Sequence, residues 1–373
     1  MKIKEYDENF IVEEIITLPK LEDNYNDHFC YAYYLMKKKN FNTMSAILVV
    51  AREFNTSIKF MCFCGNKDKN AITKQVISVK SNKRILDRLK KEVNIGHEKS
   101  YIKLTRLGFN SKPVYLGMHS GNKFTIKITE TSEEELKIFN LKLKSLKHEK
   151  FQFVNYFGEQ RFSSHNSEIG KLLIKKDFKS AFELILKTDK EFRKRIERKI
   201  NASKNDYVNA LKIIPLKQLT LYINAYQSLL WNKIAEYADS ILLKKFNPEI
   251  PLIGFDTNLN ENLQKLNDEL NNESTSNTKK KKLTFEQGLI ETYIKLINDE
   301  KIIAKDFVIK QIPQISVQGW ARNLYEKIND FNIIDIEKIN DSYNITISFS
   351  LTKSCYATTV IKEIFKKQTT ASS

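Results

Sequence analysis

Apolar residues alternate with polar ones near both ends of the chain and recur every third or fourth position through its middle. That change of period constrains the fold most, because a two-residue period places side chains on one face of a strand and a 3.6-residue period on one face of a helix. Phe10-Ile11-Val12-Glu13-Glu14-Ile15, Phe124-Thr125-Ile126-Lys127-Ile128 and Tyr343 through Leu351 read as strands, and so does Val114 through Met118. Asn42 through Arg52 reads as a helix start with Thr43 near its N-cap, and Thr358 through Phe365 as a closing helix. After Phe157-Gly158 the texture turns helical: Leu219, Tyr222, Ile223, Tyr226, Leu229, Leu230, Ile234 and Tyr237 give one apolar face several turns long. The expectation is an α/β (α+β) domain built from both ends of the chain and interrupted by a mostly helical one. The boundaries are 1–153 with 316–373 for the first and 154–315 for the second. Asn258 through Lys282, poor in aromatics and ending in four lysines, reads as a partly helical surface excursion.

A chain of 373 residues has room for two cores. Its 62 basic residues against 45 acidic ones give a net charge of +17, which favours an anionic partner, nucleic acid first. The charge clusters in Lys80 to Lys91 and in Lys190 to Lys204, the latter with Arg193, Lys194, Arg195, Arg198 and Lys199. Either cluster can track phosphates or serve as a solvated face. No run approaches the roughly 20 apolar residues that span a bilayer, and the first residues lack the apolar core of a secretory signal. The expected location is the cytoplasm, or the nucleus in a eukaryote, with no membrane. Cys30, Cys62, Cys64 and Cys355 form no metal-binding pairing and the five histidines are scattered, so no metal site is expected.

One short stretch carries a chemical signal. In Gly65-Asn66-Lys67-Asp68-Lys69-Asn70-Ala71 a carboxylate sits between two lysines in a turn-prone segment, flanked by the β-compatible runs Ile58 to Cys64 and Val76 to Val79. Neighbouring cations keep an acid ionised, which suits a nucleophile or an electrostatic stabiliser. Ordinary solvated turn chemistry explains the same residues.

Taken in order, several segments resemble the TruD-type pseudouridine synthases. The stretch Gly65 to Gln75 is similar to that family's G-x-K-D-[KR]-x-A-[VI]-T-x-Q, and Asn155-Tyr156-Phe157-Gly158-Glu159-Gln160-Arg161-Phe162 to its N-Y-F-G-x-Q-R-F. Gly121-Asn122-Lys123-Phe124 resembles G-N-x-F, Phe10 to Glu14 resembles F-x-V-x-E, and Ser350-Leu351 through Tyr356-Ala357-Thr358 resembles the C-terminal motif. Thr352 and Ser354 stand where the family often has Pro and Gly. The likeness covers nearly the whole chain.

The resemblance implies a mixed, mainly antiparallel sheet with an inserted domain, and an isomerase that converts a uridine in RNA, uridine 13 of tRNA above all, to pseudouridine. No cofactor, metal or obligatory protein partner is implied; the partner is tRNA. Asp68 would be the catalytic carboxylate, acting on the sugar, on the base or on the C2′ proton. Lys4 would be its counter-charge, Phe124 the stacking platform, Phe10 and Tyr356 the pocket lining, and Asn122 the polar contact to uracil or ribose. Lys67, Lys69 and Arg161 would meet RNA. Phe10 and Phe124 also fit plain core positions on strands, and Asn224 to Ser228 fits helix packing. A non-catalytic RNA-binding or chaperone protein, or a synthase acting on another RNA, is the alternative. A nuclease is weaker, because Asp68 lacks acidic companions for metal ions.

Overall fold

A computed structural model describes residues 1–373 except 4–5, 29, 149–150, 189–205, 242–246, 273–275 and 368–373. The basic cluster Lys190 to Lys204 and Lys4 lie outside the described residues. The chain divides into two compact units, Met1–Phe153 with Lys327–Ser373, and Val154–Glu326.

The first unit is built on one nine-stranded sheet. Its strands are β1 (Phe10–Ile15), β2 (Tyr31–Lys39), β3 (Met61–Phe63), β4 (Ile72–Lys80), β5 (Glu92–His97), β6 (Ser100–Asn110), β7 (Gly121–Thr131), β12 (Asn329–Ile339) and β13 (Ser342–Thr352). The order is β12-β13-β7-β1-β4-β2-β6-β5, with β3 also on β4; the short strands β8 (Gln152–Val154) and β11 (Tyr325–Lys327) are not part of it. Only β1 and β4 run parallel; the other pairs are antiparallel. The mixed, mainly antiparallel sheet matches the expectation.

Two apolar clusters occupy one face of this sheet. One packs Phe10, Val12, Phe124, Ile126, Ile347 and Phe349 under α2 (Glu133–Lys147) and α9 (Ala357–Phe365). The other packs Tyr34, Met36, Ile77 and Ile102 under α1 (Thr43–Glu53). Helix α2 starts from a full capping box between Ser132 and Glu135, and its apolar stripe buries Phe139 and Leu146. The opposite sheet face carries a smaller cluster of Tyr33, Cys64, Val76 and Val114.

Two local expectations change. Val114 through Met118 is a turn rather than a strand: Gly117 adopts φ +85, a region a side chain disfavours, and its N–H donates to the Cys64 carbonyl at 2.8 Å. Helix α1 is capped by Asn42, whose side chain accepts from the Ser45 amide, so the Thr43 hydroxyl is available for another use.

The second unit holds α3 (Asn166–Ile174), α4 (Phe178–Thr188), α5 (Tyr207–Leu211), α6 (Leu216–Ile241), α7 (Leu259–Leu270) and α8 (Asn277–Asp299). The expected apolar face of α6 buries Leu219, Tyr222, Ile223, Tyr226, Leu230 and Ile234, while Tyr237 near its end is exposed. Helices α3 and α6 approach closely at Gly170, where a Cβ would meet the Tyr222 carbonyl oxygen at 2.0 Å. The four lysines Lys279 to Lys282 open α8 on an exposed surface.

The boundary expected at residue 316 falls instead after Glu326. Residues 316–326 belong to the second unit because β10 (Trp320–Asn323) pairs antiparallel with β9 (Glu249–Leu252). In addition, buried Arg322 donates to the Asn155 carbonyl at 2.8 Å and lies over the Phe157 ring at 4.3 Å.

Candidate active site

Strand register draws the site out of the sheet. Lys38 of β2 faces Thr73 of β4, Thr73 faces Val12 of β1, Val12 faces Phe124 of β7, and Phe124 faces Phe349 of β13. One step along, Met36 faces Gln75, and Glu14 faces Asn122, which faces Leu351. Lys38, Thr73, Gln75, Glu14 and Asn122 thus form a polar band on the face that is otherwise filled by the two apolar clusters.

The loop bearing Asp68 arises at a seam in this sheet. Along one edge β4 pairs with β2 throughout, whereas its other edge pairs with β3 at residues 77–79 and with β1 at 72–74. Between them the Val76 amide donates to Glu14 Oε2 at 3.1 Å, a side chain standing in for the missing strand partner. The chain leaves the sheet at Cys64 and re-enters at Ala71, both buried.

Side chains of the band hold that loop. Gln75 Nε2 donates to the Gly65 carbonyl at 3.0 Å, and the Lys67 amide donates to Thr43 Oγ1 at 2.8 Å, whose hydroxyl donates on to Gln75 Oε1 at 3.1 Å. Lys38 is fully buried and donates to the carbonyls of Phe41 at 2.7 Å, Asp68 at 2.8 Å and, at a longer 3.5 Å, Lys67. Burial pulls the Lys38 ammonium down to about 8; the nearby Asp68 acts the other way and Lys67 adds to the lowering.

Lys67 is not the exposed cation that the expected RNA contact would require. Its ammonium turns inward and donates to Glu14 Oε1 at 2.7 Å, the two side chains being 5 % and 1 % exposed. Only Lys69 of the expected lysine pair remains exposed beside the exposed Asp68. His119 lies against Gly65, its Cε1 3.0 Å from where a Cβ would be, and burial together with the Lys67 charge lowers its pKa. Burial, reinforced by Glu14, lifts the Cys64 thiol to about 12, which makes it inert.

Among the described residues four buried side-chain polar atoms have no hydrogen-bond partner, and three surround this region: Asn122 Oδ1, His119 Nδ1 and Thr73 Oγ1. Buried polar atoms are almost always paired, so a cluster of orphans marks a place shaped for an absent partner.

The expected aromatic residues take core positions. Phe10 is 2 % and Phe124 6 % exposed. Phe349 stacks on Phe124 at 5.6 Å, the Phe10 and Phe124 rings form a T-shaped pair at 6.1 Å, and Phe124 is thus held among core rings, as the packing alternative describes, rather than standing exposed. Tyr356 is half-buried and caps α9 through its carbonyl, which accepts from the Thr359 hydroxyl at 2.7 Å. Arg161 belongs to the second unit, where its Nε donates to Ser228 Oγ at 3.3 Å and its guanidinium lies 5.8 Å from the Phe157 ring centre. No group of three or more potential metal-ligating side chains occurs among the described residues, and no described helix is long and apolar enough to cross a membrane.

The family model described as tRNA pseudouridine synthase D (TruD) matches residues 1–202 and 190–364. The chain belongs to the TruD family. That family's members are tRNA pseudouridine synthases, which places the chain among the isomerases. A Methanocaldococcus jannaschii relative that carries the tRNA pseudouridine synthase D name is 28% identical across 98% of this chain and 92% of its own. The tRNA pseudouridine synthase D of Aquifex aeolicus is 30% identical over 62% of this chain and 65% of its own. The crystal structure of a Methanosarcina mazei protein assigned to tRNA pseudouridine synthase D (TruD) has the same fold, with a TM-score of 0.62 at 20% identity over 98% of this chain and 93% of that one.

The resemblance covered the family motifs, but the two buried charged side chains that bind the Asp68 loop, Glu14 through Lys67 and Lys38 directly, were not singled out. Glu14 follows Phe10 and Val12 at two-residue spacing, and Lys38 follows Tyr34 and Met36 likewise. That inward parity was the available signal.

Proposed function

We propose that this enzyme isomerises uridine 13 of tRNA to pseudouridine with Asp68 as the catalytic carboxylate. One observation carries the reading: Asp68 is exposed on a loop whose backbone is pinned by buried Lys38, Thr43 and Gln75, in the part of the sheet that also holds the orphan polar atoms of Thr73, His119 and Asn122. A fixed loop holding an exposed acid is the preorganisation that such chemistry demands.

The reaction breaks the bond from N1 to ribose C1′, turns the detached uracil and rejoins it through C5. The C5 proton leaves and N1 gains one, so the change is redox-neutral and consumes no water overall. Asp68 attacks the sugar or the base, or takes the C2′ proton. Asn122 Oδ1 accepts from the uracil N3–H and holds the cleaved base, with Phe124 as an apolar floor beneath it rather than an open stacking face. Lys69 and Arg161 meet phosphates, Tyr356 borders the pocket, and Lys4 supplies a counter-charge as the family resemblance implies.

Incubating the purified protein with an unmodified tRNA transcript and mapping pseudouridine by carbodiimide primer extension tests the reading. A single product at residue 13 is expected. Product at another uridine would overturn the position, and no product in a tRNA that binds would overturn the reading.

A further inference from the structure

We propose that Lys38 is a positioning residue for the isomerisation, fixing the backbone at Asp68 so that its carboxylate meets the target uridine. This rests on the reading of Asp68 given above. The ammonium joins two segments far apart in sequence: Phe41, in the turn between β2 and α1, and Asp68, in the loop from the seam. The direction of the Asp68 side chain follows from the peptide planes on either side of it. The Lys67 and Asp68 carbonyls of those planes both turn toward Lys38.

A positive charge is the economical way to hold carbonyls in this place. The ammonium offers three donors at one point, and ion-to-carbonyl bonds are stronger than neutral ones. The sheet keeps the group there: Lys38 sits at the end of β2 with Thr73 opposite on β4 and Ile102 opposite on β6. No solvent reaches it. Surface attraction for RNA therefore cannot be its task, and Glu14, the buried carboxylate of the band, is bonded to Lys67 instead. What the geometry leaves to Lys38 is the placement of the loop. A displacement of about 1 Å at a reacting group costs on the order of 100-fold in rate.

The test compares Lys38→Met and Lys38→Arg with the wild type in steady-state turnover of tRNA and in tRNA affinity by filter binding. Expected for K38M is a fall in kcat of about tenfold or more with KM and tRNA affinity within about twofold, because the loop still exists but is no longer aimed. Turnover within about threefold of wild type would overturn the proposal, as would tRNA affinity lost in step with kcat in a folded protein. Should K38M fail to fold, K38R carries the test. Its fork keeps the charge but moves the donors off the ammonium position, so kcat must fall about fivefold or more with affinity intact. Wild-type kcat in K38R would overturn the proposal. Asp68→Asn run alongside separates the two readings: an active D68N refutes the role of Asp68, whereas an inactive D68N with fully active K38M refutes only that of Lys38.

Discussion

Glu14 and Lys67 are both withdrawn from water, and their mutual hydrogen bond is what makes that tolerable. Removing one partner strands the other charge, so Glu14→Gln or Lys67→Met is expected to lower stability by about 3–5 kcal/mol, read by urea denaturation. The double variant E14Q/K67M should be less destabilised than the sum of the singles, and plain additivity would contradict the coupling. Asn122 is the converse case. Its Oδ1 has no partner to lose, so Asn122→Ala should change stability by less than about 1 kcal/mol while kcat/KM falls. A variant with unchanged kcat/KM would remove Asn122 from the site. At this scale the sequence conveyed Asp68 through its motif, but the side-chain directions of its neighbours were hidden. Lys67 reads as a surface cation because adjacency along the chain says nothing about which lysine a loop turns inward.

Among the helices of the second unit, Glu300 ties three together. Following α8, it accepts from Lys171 of α3 at 2.5 Å, and from Lys233 at 2.8 Å and Tyr226 at 3.1 Å, both of α6. Burial works to raise its pKa, yet the bonds from Lys171 and Lys233 and the Lys233 charge prevail and bring it down to about 2. A folded pKa below the unfolded value stabilises above the unfolded value, and that contribution is lost as the pH falls. The Glu300 share of stability should therefore be intact at pH 5 and disappear between about 4.5 and 2. Urea midpoints measured over this range should fall less steeply in Glu300→Gln than in the wild type; parallel curves would contradict the linkage. Strands with clean alternation and the α6 stripe were legible because period alone fixes which face is buried. Val114 to Met118 was not, since its β-compatible side chains are overruled by the Gly117 conformation and by a bond to Cys64 remote in sequence. The seam on β4 is equally a product of pairing between distant strands, which no local pattern announces.

For the whole molecule, a net charge of +17 implies that tRNA binding is driven largely by phosphate neutralisation. With about 6–10 phosphate contacts the affinity should fall by about 10³-fold or more between 50 and 200 mM salt, measured by filter binding. A flat response would show that the charge is not used. The two-unit organisation was legible from the change of period, whereas the return boundary was not, because residues 316–326 join the second unit through pairing with β9 and the Arg322 contact to Asn155. The central claim is that a single carboxylate on the pinned loop, that of Asp68, performs the isomerisation. Single-turnover pseudouridine formation by Asp68→Asn, in about tenfold excess over a tRNA transcript it binds as tightly as wild type does, addresses this most directly. No product is expected from D68N under conditions where the wild type converts the whole transcript; product from D68N at a rate near that of the wild type would contradict it.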